Sequence, residues 1–451
     1  MTMSQWVGHR RPWTICTLTA LVLLPAFVGC ATAGDRATAP APVSAPSSAW
    51  LANLSSYAFW PGDETPERMD GVLKKLRGFQ MVVVHLRSAP ETIRRLHMQN
   101  TRVLSYISFM DTYVMPHGWG VYGRVPWDPN QPQILLIGRR HRFINTAMGP
   151  VYRMSRFLVC NNTQQYVDAA LAAVRLRMER GADGIFVDNS GRRQKCFGHN
   201  VPVGYHKRYG VVCELPLKKG RPPRKNPMLT KLPKHTHLYP DKTHDYAYGK
   251  LLEKVRTLVR RYGQDKVIVL NAGLRYADRS DGNLLESHLF STAWTGPRYT
   301  WEQLKQRAAK YTPLVKKGHA ILALDYLGKT RKSVMEDAML AYATSRLTGL
   351  IWYGGNRQDE RFQRMVHLQP GEQLTKRISA GHADYAVFEN VVIAVNGGIE
   401  PASVVLRPPA AFTAAALENL FTATRIPRTA EGFRVTIPPG TGRVYLPIAA
   451  K

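Results

Sequence analysis

The stretch that decides the fold is Gly181-Ala182-Asp183-Gly184-Ile185-Phe186-Val187-Asp188-Asn189. Its centre, residues 185–187, is a continuous apolar run typical of a parallel strand covered on both faces. Residues 163–180 before it carry apolar side chains at helical spacing, and Gly181 stands where a helix commonly ends. A helix, a glycine, a buried strand and a terminal Asp form the local pattern of a β/α barrel, whose functional side chains project from the C-terminal strand ends. Asp188 is therefore the first candidate functional residue, although it could merely cap the following loop.

Seven further apolar segments of strand length surround this stretch, mostly separated by segments with helical spacing. They lie at residues 55–61, 80–86, 101–108, 266–271, 282–288, 320–326 and 348–353. Eight short strands alternating with helices predict a (β/α)8 TIM barrel, which we assign to residues 50–378. A doubly wound open sheet is the alternative, but no GxGxxG or P-loop motif follows the first strand.

The spacing changes after about residue 380, where short apolar segments are separated by turn residues such as Pro438-Pro439-Gly440. This pattern is typical of antiparallel strands. Residues 379–451 are therefore predicted to form a small C-terminal antiparallel β domain, sandwich-like in character, packed on the barrel.

The N-terminal residues resemble a bacterial lipoprotein signal. Arg10 and Arg11 precede an apolar segment at residues 15–28, too short for a comfortable membrane span, and Gly29-Cys30 follows. We therefore predict a signal peptide over residues 1–30, lipidation of Cys30, and a flexible tether over residues 31–49. An outer-membrane lipoprotein of the bacterial cell envelope, periplasmic or surface-exposed, is the expected location; an ordinary cleaved signal is the alternative.

Three cysteines remain after that segment: Cys160, Cys196 and Cys213. Export implies an oxidising compartment, and Cys196 and Cys213 share one predicted loop, so they are the expected disulfide. Cys160 would then be free or buried. No CxxC or HxxxH spacing accompanies these residues, so no metal is predicted, and no cofactor is expected.

The chain is strongly basic, with a formal net charge of +30 and a pI of about 10.1. Such a charge favours polyanionic partners, and for an exported protein these are anionic lipid or acidic polysaccharide rather than nucleic acid. Much of the charge lies in an insertion at residues 191–243, whose only acids are Glu214 and Asp241. The insertion could concentrate an anionic ligand over a site at the strand ends, or it could serve solubility alone.

Carboxylates at several predicted strand ends point to glycosidic bond cleavage, which needs two carboxyl groups flanking the bond. Asp188, Glu286 and Asp325 occupy such ends. Salt bridges to neighbouring arginines are the structural alternative, but a carboxylate after an apolar strand is costly to bury without a reason. Asp325 is predicted to bind the sugar, as are the other strand-end residues Tyr106, Asn189, Asn271, Tyr326, Trp60, His85 and Trp352.

The sequence resembles a family of glycoside-hydrolase-like barrels. The resemblance lies in Val103-Leu104-Ser105-Tyr106-Ile107-Ser108, the stretch 181–189, Asn271-Ala272-Gly273 and Leu285-Glu286-Ser287. These segments are similar to glycoside-hydrolase-like family 15 and, more distantly, to the family 114 endo-α-1,4-polygalactosaminidases. The resemblance implies that Asp188 and Glu286 are the catalytic pair. The basic insertion departs from the family pattern and would repel a cationic substrate.

These features predict an exported, lipid-anchored glycoside hydrolase acting on a cell-envelope or extracellular polysaccharide. Asp188 would be the nucleophile or base, and Glu286 the general acid/base. The competing hypothesis is a non-catalytic glycan-binding or envelope-assembly lipoprotein on the same scaffold, because aromatic loops and positive charge serve binding equally well.

Overall fold

The computed structural model describes most of the chain from residue 49 onward. The described residues are 49–60, 69–84, 90–109, 111–115, 118–119, 140–141, 155–158, 161–191, 214–215, 224–225, 238–239, 242–291, 296–327, 334–354 and 360–449. By its internal contacts the chain divides into two units, Met1–Val43 and Ser44–Lys451. The predicted signal peptide, Cys30, His85, all three remaining cysteines and most of the basic insertion lie outside the described residues.

Eight parallel strands form one sheet in which each strand pairs with the next along the chain. The strands are β1 (Tyr57–Trp60), β2 (Met81–Val84), β3 (Arg102–Ser108), β4 (Gly184–Asp188), β5 (Val267–Asn271), β6 (Gly282–Glu286), β7 (Ala320–Leu324) and β8 (Ile351–Tyr353). The first and last strands also approach each other, with the rings of Tyr57 and Tyr353 5.6 Å apart. The predicted (β/α)8 barrel is therefore confirmed.

Side chains alternate between the barrel interior and the helix layer, because successive residues of a strand point to opposite faces. Phe59, Tyr106 and Phe186 pack together inside, with ring centroids 5.4–6.1 Å apart. Ile185 and Val187 point outward into a cluster with the helices that flank β4. The continuous apolar run at 185–187 thus covers both faces of a strand buried on both sides.

The helices lie in the connections between the strands. They are α1 (Ala49–Ala52), α2 (Met69–Leu76), α3 (Pro90–His97), α4 (Gln164–Glu179), α5 (His244–Arg260), α6 (Trp301–Ala309), α7 (Thr312–Val315), α8 (Val334–Leu347) and α9 (Glu360–Val366). A 3-10 helix, Leu274–Arg279, joins β5 to β6. Threonine caps begin three of the long helices: Thr163 and Thr243 each accept a backbone N–H, and Thr300 forms a capping box with Gln303.

The long connection between β3 and α4 is rich in aromatic and proline residues and contains secondary structure of its own. Four short strands there form an antiparallel sheet: Asp111–Met115, Gly118–Trp119, Arg140–His141 and Ser155–Leu158. In the basic insertion, Glu214–Leu215 pairs with Arg224–Lys225.

Asp183 and Asp281 stabilise the N-terminal end of the barrel in the same way. Each precedes a strand and accepts a backbone N–H from the neighbouring strand, that of Val103 in the case of Asp183, at 2.9 Å. Each also meets basic side chains, Lys266 at 3.0 Å from Asp183 and Arg260 at 2.7 Å from Asp281. Burial raises the pKa of Asp183, but the Val103 N–H and Lys266 lower it more, so the net pKa lies below its ordinary value. The first aspartate of the 181–189 stretch is therefore structural.

The C-terminal strands form a six-stranded antiparallel sheet and a two-stranded one, as the change of spacing predicts. They are β9 (Ile378–Ala380), β10 (Ala383–Phe388), β11 (Val391–Asn396), β12 (Ala402–Leu406), β13 (Ala416–Asn419), β14 (Arg425–Pro427), β15 (Phe433–Ile437) and β16 (Thr441–Ile448). The larger sheet has the order β9-β10-β11-β16-β13-β14, and β12 pairs with β15. β11 and β16 pack against α8 of the barrel. None of the described helices is both long and apolar enough to span a membrane.

Candidate active site

Three neighbouring strands each end in a polar side chain that faces the barrel interior. Asp188 ends β4, Asn271 ends β5 and Glu286 ends β6. Asp188 lies two residues after the interior residue Phe186, so the alternation of side chains places it on the same face. Because all strands of a parallel barrel end at one rim, the three side chains meet there.

The carboxylate of Asp188 is held by four hydrogen bonds. Oδ1 accepts the backbone N–H of Asn189 at 2.7 Å and the side-chain amide of Asn271 at 2.7 Å. Oδ2 accepts the side-chain amide of Asn189 at 2.8 Å and the hydroxyl of Tyr106. The half-buried side chain therefore has a fixed orientation, and its donor set is one that an ionised carboxylate accepts.

Glu286 lies at the rim beside Asp188 and is more exposed. The Tyr326 hydroxyl donates to Oε1 at 2.6 Å, and the Asn271 amide donates to Oε2 at 3.2 Å. The Asn271 nitrogen therefore contacts both carboxylates. Oδ1 of Asp188 and Oε2 of Glu286 therefore lie within about 6 Å of each other, because both contact the same nitrogen.

Each of these three strands is followed by a residue in the left-handed conformation. Asn189 has φ 60°, Ala272 has φ 58° and Ser287 has φ 58°. This conformation costs a non-glycine residue about 1 kcal/mol or more, and such strain concentrates at functional sites. The chain therefore turns sharply after each of the three site residues.

Buried polar side chains behind the rim support these turns. Asn283 donates to the carbonyl of Ala272, and its Oδ1 lies 2.7 Å from Nε2 of His319. Burial lowers the pKa of His319 to about 4, so its ring is neutral at neutral pH and donates through Nε2. After Glu286, the backbone N–H of Ser287 donates to Leu324 O at 2.8 Å.

Asp325 was predicted to contact the sugar, but its side chain does not face the barrel interior. It follows the end of β7, but it points outward and is 0% exposed. Its oxygens accept the N–H of Leu289 at 2.8 Å and Nε1 of Trp352 at 2.9 Å. Burial raises its pKa to about 6, against the lowering effect of those two donors. The next residue, Tyr326, faces the site instead.

Both predicted tryptophan contacts also point to the helix layer. Trp352 is 1% exposed and packs against Tyr342 and Phe362. Trp60 lies under the Lys75 ammonium of α2, on the side of β1 opposite to Phe59. Phe59, Tyr106 and Phe186 form the aromatic cluster beneath Asp188, and only Tyr106 among them was a predicted site residue. The position of Phe186 two residues before Asp188 is a signal that finds it, whereas no sequence signal places Phe59 on this face.

Tyr106, Asn189, Asn271 and Tyr326, predicted as sugar contacts, all hydrogen-bond to a carboxylate of the pair. The predicted contact His85 lies outside the described residues. Within the described ranges, no group of three or more His, Cys, Asp or Glu side chains could hold a metal ion.

Comparison with known proteins finds similarity among solved structures only. No protein-family model and no curated protein matches the chain. The glycoside hydrolase domain of PelA from Pseudomonas aeruginosa is 14% identical with a TM-score of 0.40, over 67% of this chain and 94% of that one. An Anoxybacillus alpha-amylase is 10% identical with a TM-score of 0.47 (89% and 99% covered), and a Malbranchea cinnamomea alpha-amylase is 11% identical with a TM-score of 0.48 (88% and 97%). These neighbours are glycoside hydrolases, but such distant similarity carries no argument about the activity of this chain.

Proposed function

We propose that this protein is a glycoside hydrolase in which Asp188 and Glu286 are the catalytic carboxylates. The observation that carries the proposal is the side-chain amide of Asn271, which lies 2.7 Å from one carboxylate and 3.2 Å from the other. An Asp and a Glu on neighbouring strands, held this close at the rim of a barrel, have the arrangement that glycosidic cleavage requires.

Their environments assign the two roles. Asp188 is half-buried and its four donors fix both oxygens, which suits a nucleophile that attacks in one orientation. Glu286 is more exposed and has fewer partners, so it can exchange protons with the leaving group and with water. We infer the retaining mechanism, in which the carboxyl groups are about 5–5.5 Å apart, because one side-chain amide contacts both carboxylates.

The reaction then has two steps. In the first, an oxygen of Asp188 bonds to the anomeric carbon while the glycosidic C–O bond breaks, and the proton of Glu286 moves to the departing oxygen. In the second, Glu286 takes a proton from water as the water oxygen bonds to the anomeric carbon and the bond to Asp188 breaks. The enzyme returns to its starting protonation state, and no cofactor takes part.

The substrate in this proposal is a cell-envelope or extracellular polysaccharide, and the net charge of +30 favours an acidic one. Export, lipidation at Cys30 and an outer-membrane location rest on the N-terminal sequence pattern. Globomycin-sensitive processing of the full chain and metabolic labelling with a fatty acid test that location. A Cys30→Ala variant that still takes up the label would refute lipidation at this cysteine.

The activity is tested with the chain from Ser44 to Lys451 on acidic, neutral and amino-sugar polysaccharides, by assay of new reducing ends. Asp188→Asn and Glu286→Gln should abolish release. Asp70→Asn and Glu431→Gln, which remove surface carboxylates with 85% and 62% exposed side chains, should leave it unchanged. Release by either active-site variant at the parent rate would refute the assignment, and binding of a glycan without cleavage would favour the non-catalytic alternative.

A further inference from the structure

The barrel has a cationic face at the end opposite to the candidate active site. The segments that lead from a helix into the next strand all lie at this end, because the strands are parallel. They carry five exposed cations: Arg77 before β2, Arg261 before β5, and Lys310, Lys316 and Lys317 before β7. We call these five residues the floor cations.

The C-terminal ends of helices stabilise cations at this face. Arg77, Arg261, Lys310 and Lys316 each follow the last turn of a helix, where the partial negative charge of the helix end attracts a cation. In the described helix-to-strand segments and the last helical turns before them, three acids are exposed: Glu179, Asp265 and Asp278. Asp265 lies 3.3 Å from Arg102, and Asp278 lies 2.9 Å from Arg279.

The chain also enters the barrel at this face. Helix α1 lies at this face, where Leu51 is fully buried and Nε1 of Trp50 donates to the carbonyl of Asp265 at 2.9 Å. The ring of Trp50 stacks on Arg102, with 5.5 Å between the guanidinium carbon and the ring centroid. Residue 49, the last residue of the predicted tether, therefore belongs to the cationic end of the molecule and not to the end with Asp188.

We propose that the floor cations dock this protein on an anionic phospholipid surface, with Asp188 and Glu286 directed away from it. The tether predicted from the sequence over residues 31–49 would span roughly 20–25 Å as a random coil, short enough to keep a tethered floor close to the bilayer. Charge within a Debye length of the surface, about 8 Å, then contributes to binding. The docking does not depend on hydrolysis, so either proposal can fail without the other.

The size of the effect follows from the number of cations. Each Lys or Arg close to an anionic bilayer contributes about fivefold to the partition coefficient, so the loss of three should weaken binding on the order of 100-fold. The effect should disappear at high salt, because exposed charges are screened.

Co-sedimentation with phosphatidylcholine vesicles, with and without phosphatidylglycerol, tests the proposal. The protein is the compact unit from Ser44 to Lys451, so that the apolar N-terminal segment takes no part. The floor variant is Arg261→Gln, Lys316→Gln and Lys317→Gln. The control variant, Lys376→Gln, Arg407→Gln and Arg425→Gln, removes the same charge from exposed positions of the C-terminal β domain.

The parent and the control should sediment with phosphatidylglycerol vesicles, and the floor variant should bind about 100-fold more weakly with an unchanged thermal unfolding midpoint. Equal losses in both variants would overturn the proposal in favour of non-specific charge. If the parent does not bind the vesicles but binds heparin through the floor cations, the phospholipid proposal is also overturned. The cationic face would then be assigned to an acidic polysaccharide.

Discussion

Replacement of Asn271 by Ala should lower kcat/KM for glycan cleavage by roughly 100-fold. The Asn271 amide donates to Oδ1 of Asp188 at 2.7 Å and to Oε2 of Glu286 at 3.2 Å. A hydrogen bond to a charged group contributes about 1.5–3 kcal/mol. In the proposed mechanism Glu286 starts with a proton, so Asp188 is the charged partner of the amide, and the same amide also orients Glu286. A loss of about 3 kcal/mol from the transition state corresponds to roughly 100-fold in rate.

The assay is reducing-end release from the polysaccharide that the parent cleaves, with thermal unfolding to show that the variant folds. Asn390→Ala is the matched control, because Asn390 is exposed and its amide contacts the Gln369 carbonyl in the β domain. If Asn271→Ala keeps kcat/KM within threefold while Asp188→Asn is inactive, the amide does not hold the pair and the reasoning fails.

Three further predictions concern stability. Burial raises the pKa of Asp325 from 3.8 to about 6, so the folded state binds the carboxyl proton of Asp325 more tightly than the unfolded state does. The protonated carboxyl therefore contributes its full stabilisation below about pH 4, and this contribution is lost as the pH rises through about 6. The parent should therefore lose about 3 kcal/mol relative to Asp325→Asn between about pH 4 and pH 7 in urea unfolding, and parallel stability curves would contradict this. Asp183→Asn should lower the free energy of unfolding by about 2–4 kcal/mol, because it leaves Lys266 without its buried partner. A change below about 0.5 kcal/mol in urea unfolding would show that the ion pair does not stabilise the fold. Ala272→Gly should raise that free energy by about 0.5–1 kcal/mol, because glycine relieves the left-handed φ of 58° at an exposed position, and a lower melting temperature would refute the strain.

The sequence predicted the barrel because its strands are short apolar runs buried on both faces, a pattern that leaves a clear signal. The 181–189 stretch shows this well: Gly181 follows the end of α4, residues 185–187 are the apolar centre of β4, and Asp188 is its last residue. The C-terminal sheet was equally visible from its turns. The connection between β3 and α4 was not, since its short antiparallel strands lie within proline- and aromatic-rich sequence.

The site was predicted in part because strand ends can be located more easily than strand faces. Asp188 and Glu286 face inward, whereas Asp325 follows its strand at a position of the opposite parity and is buried against Trp352. A shift of one residue moves a side chain to the other face, and no apolar alternation marks the faces of a strand covered on both sides. The bridging amide of Asn271 and the left-handed turns could not be foreseen, because they depend on distances between strands.

The most direct test of the central claim is peptide mass spectrometry of Glu286→Gln after incubation with an aryl glycoside of the sugar that the parent cleaves. An aryl leaving group departs without a proton from residue 286, whereas hydrolysis of the glycosyl-enzyme is slowed by loss of the general base. The account predicts one added glycosyl unit on the peptide that contains Asp188. Turnover of the glycoside with no adduct, or an adduct on another residue, would contradict it.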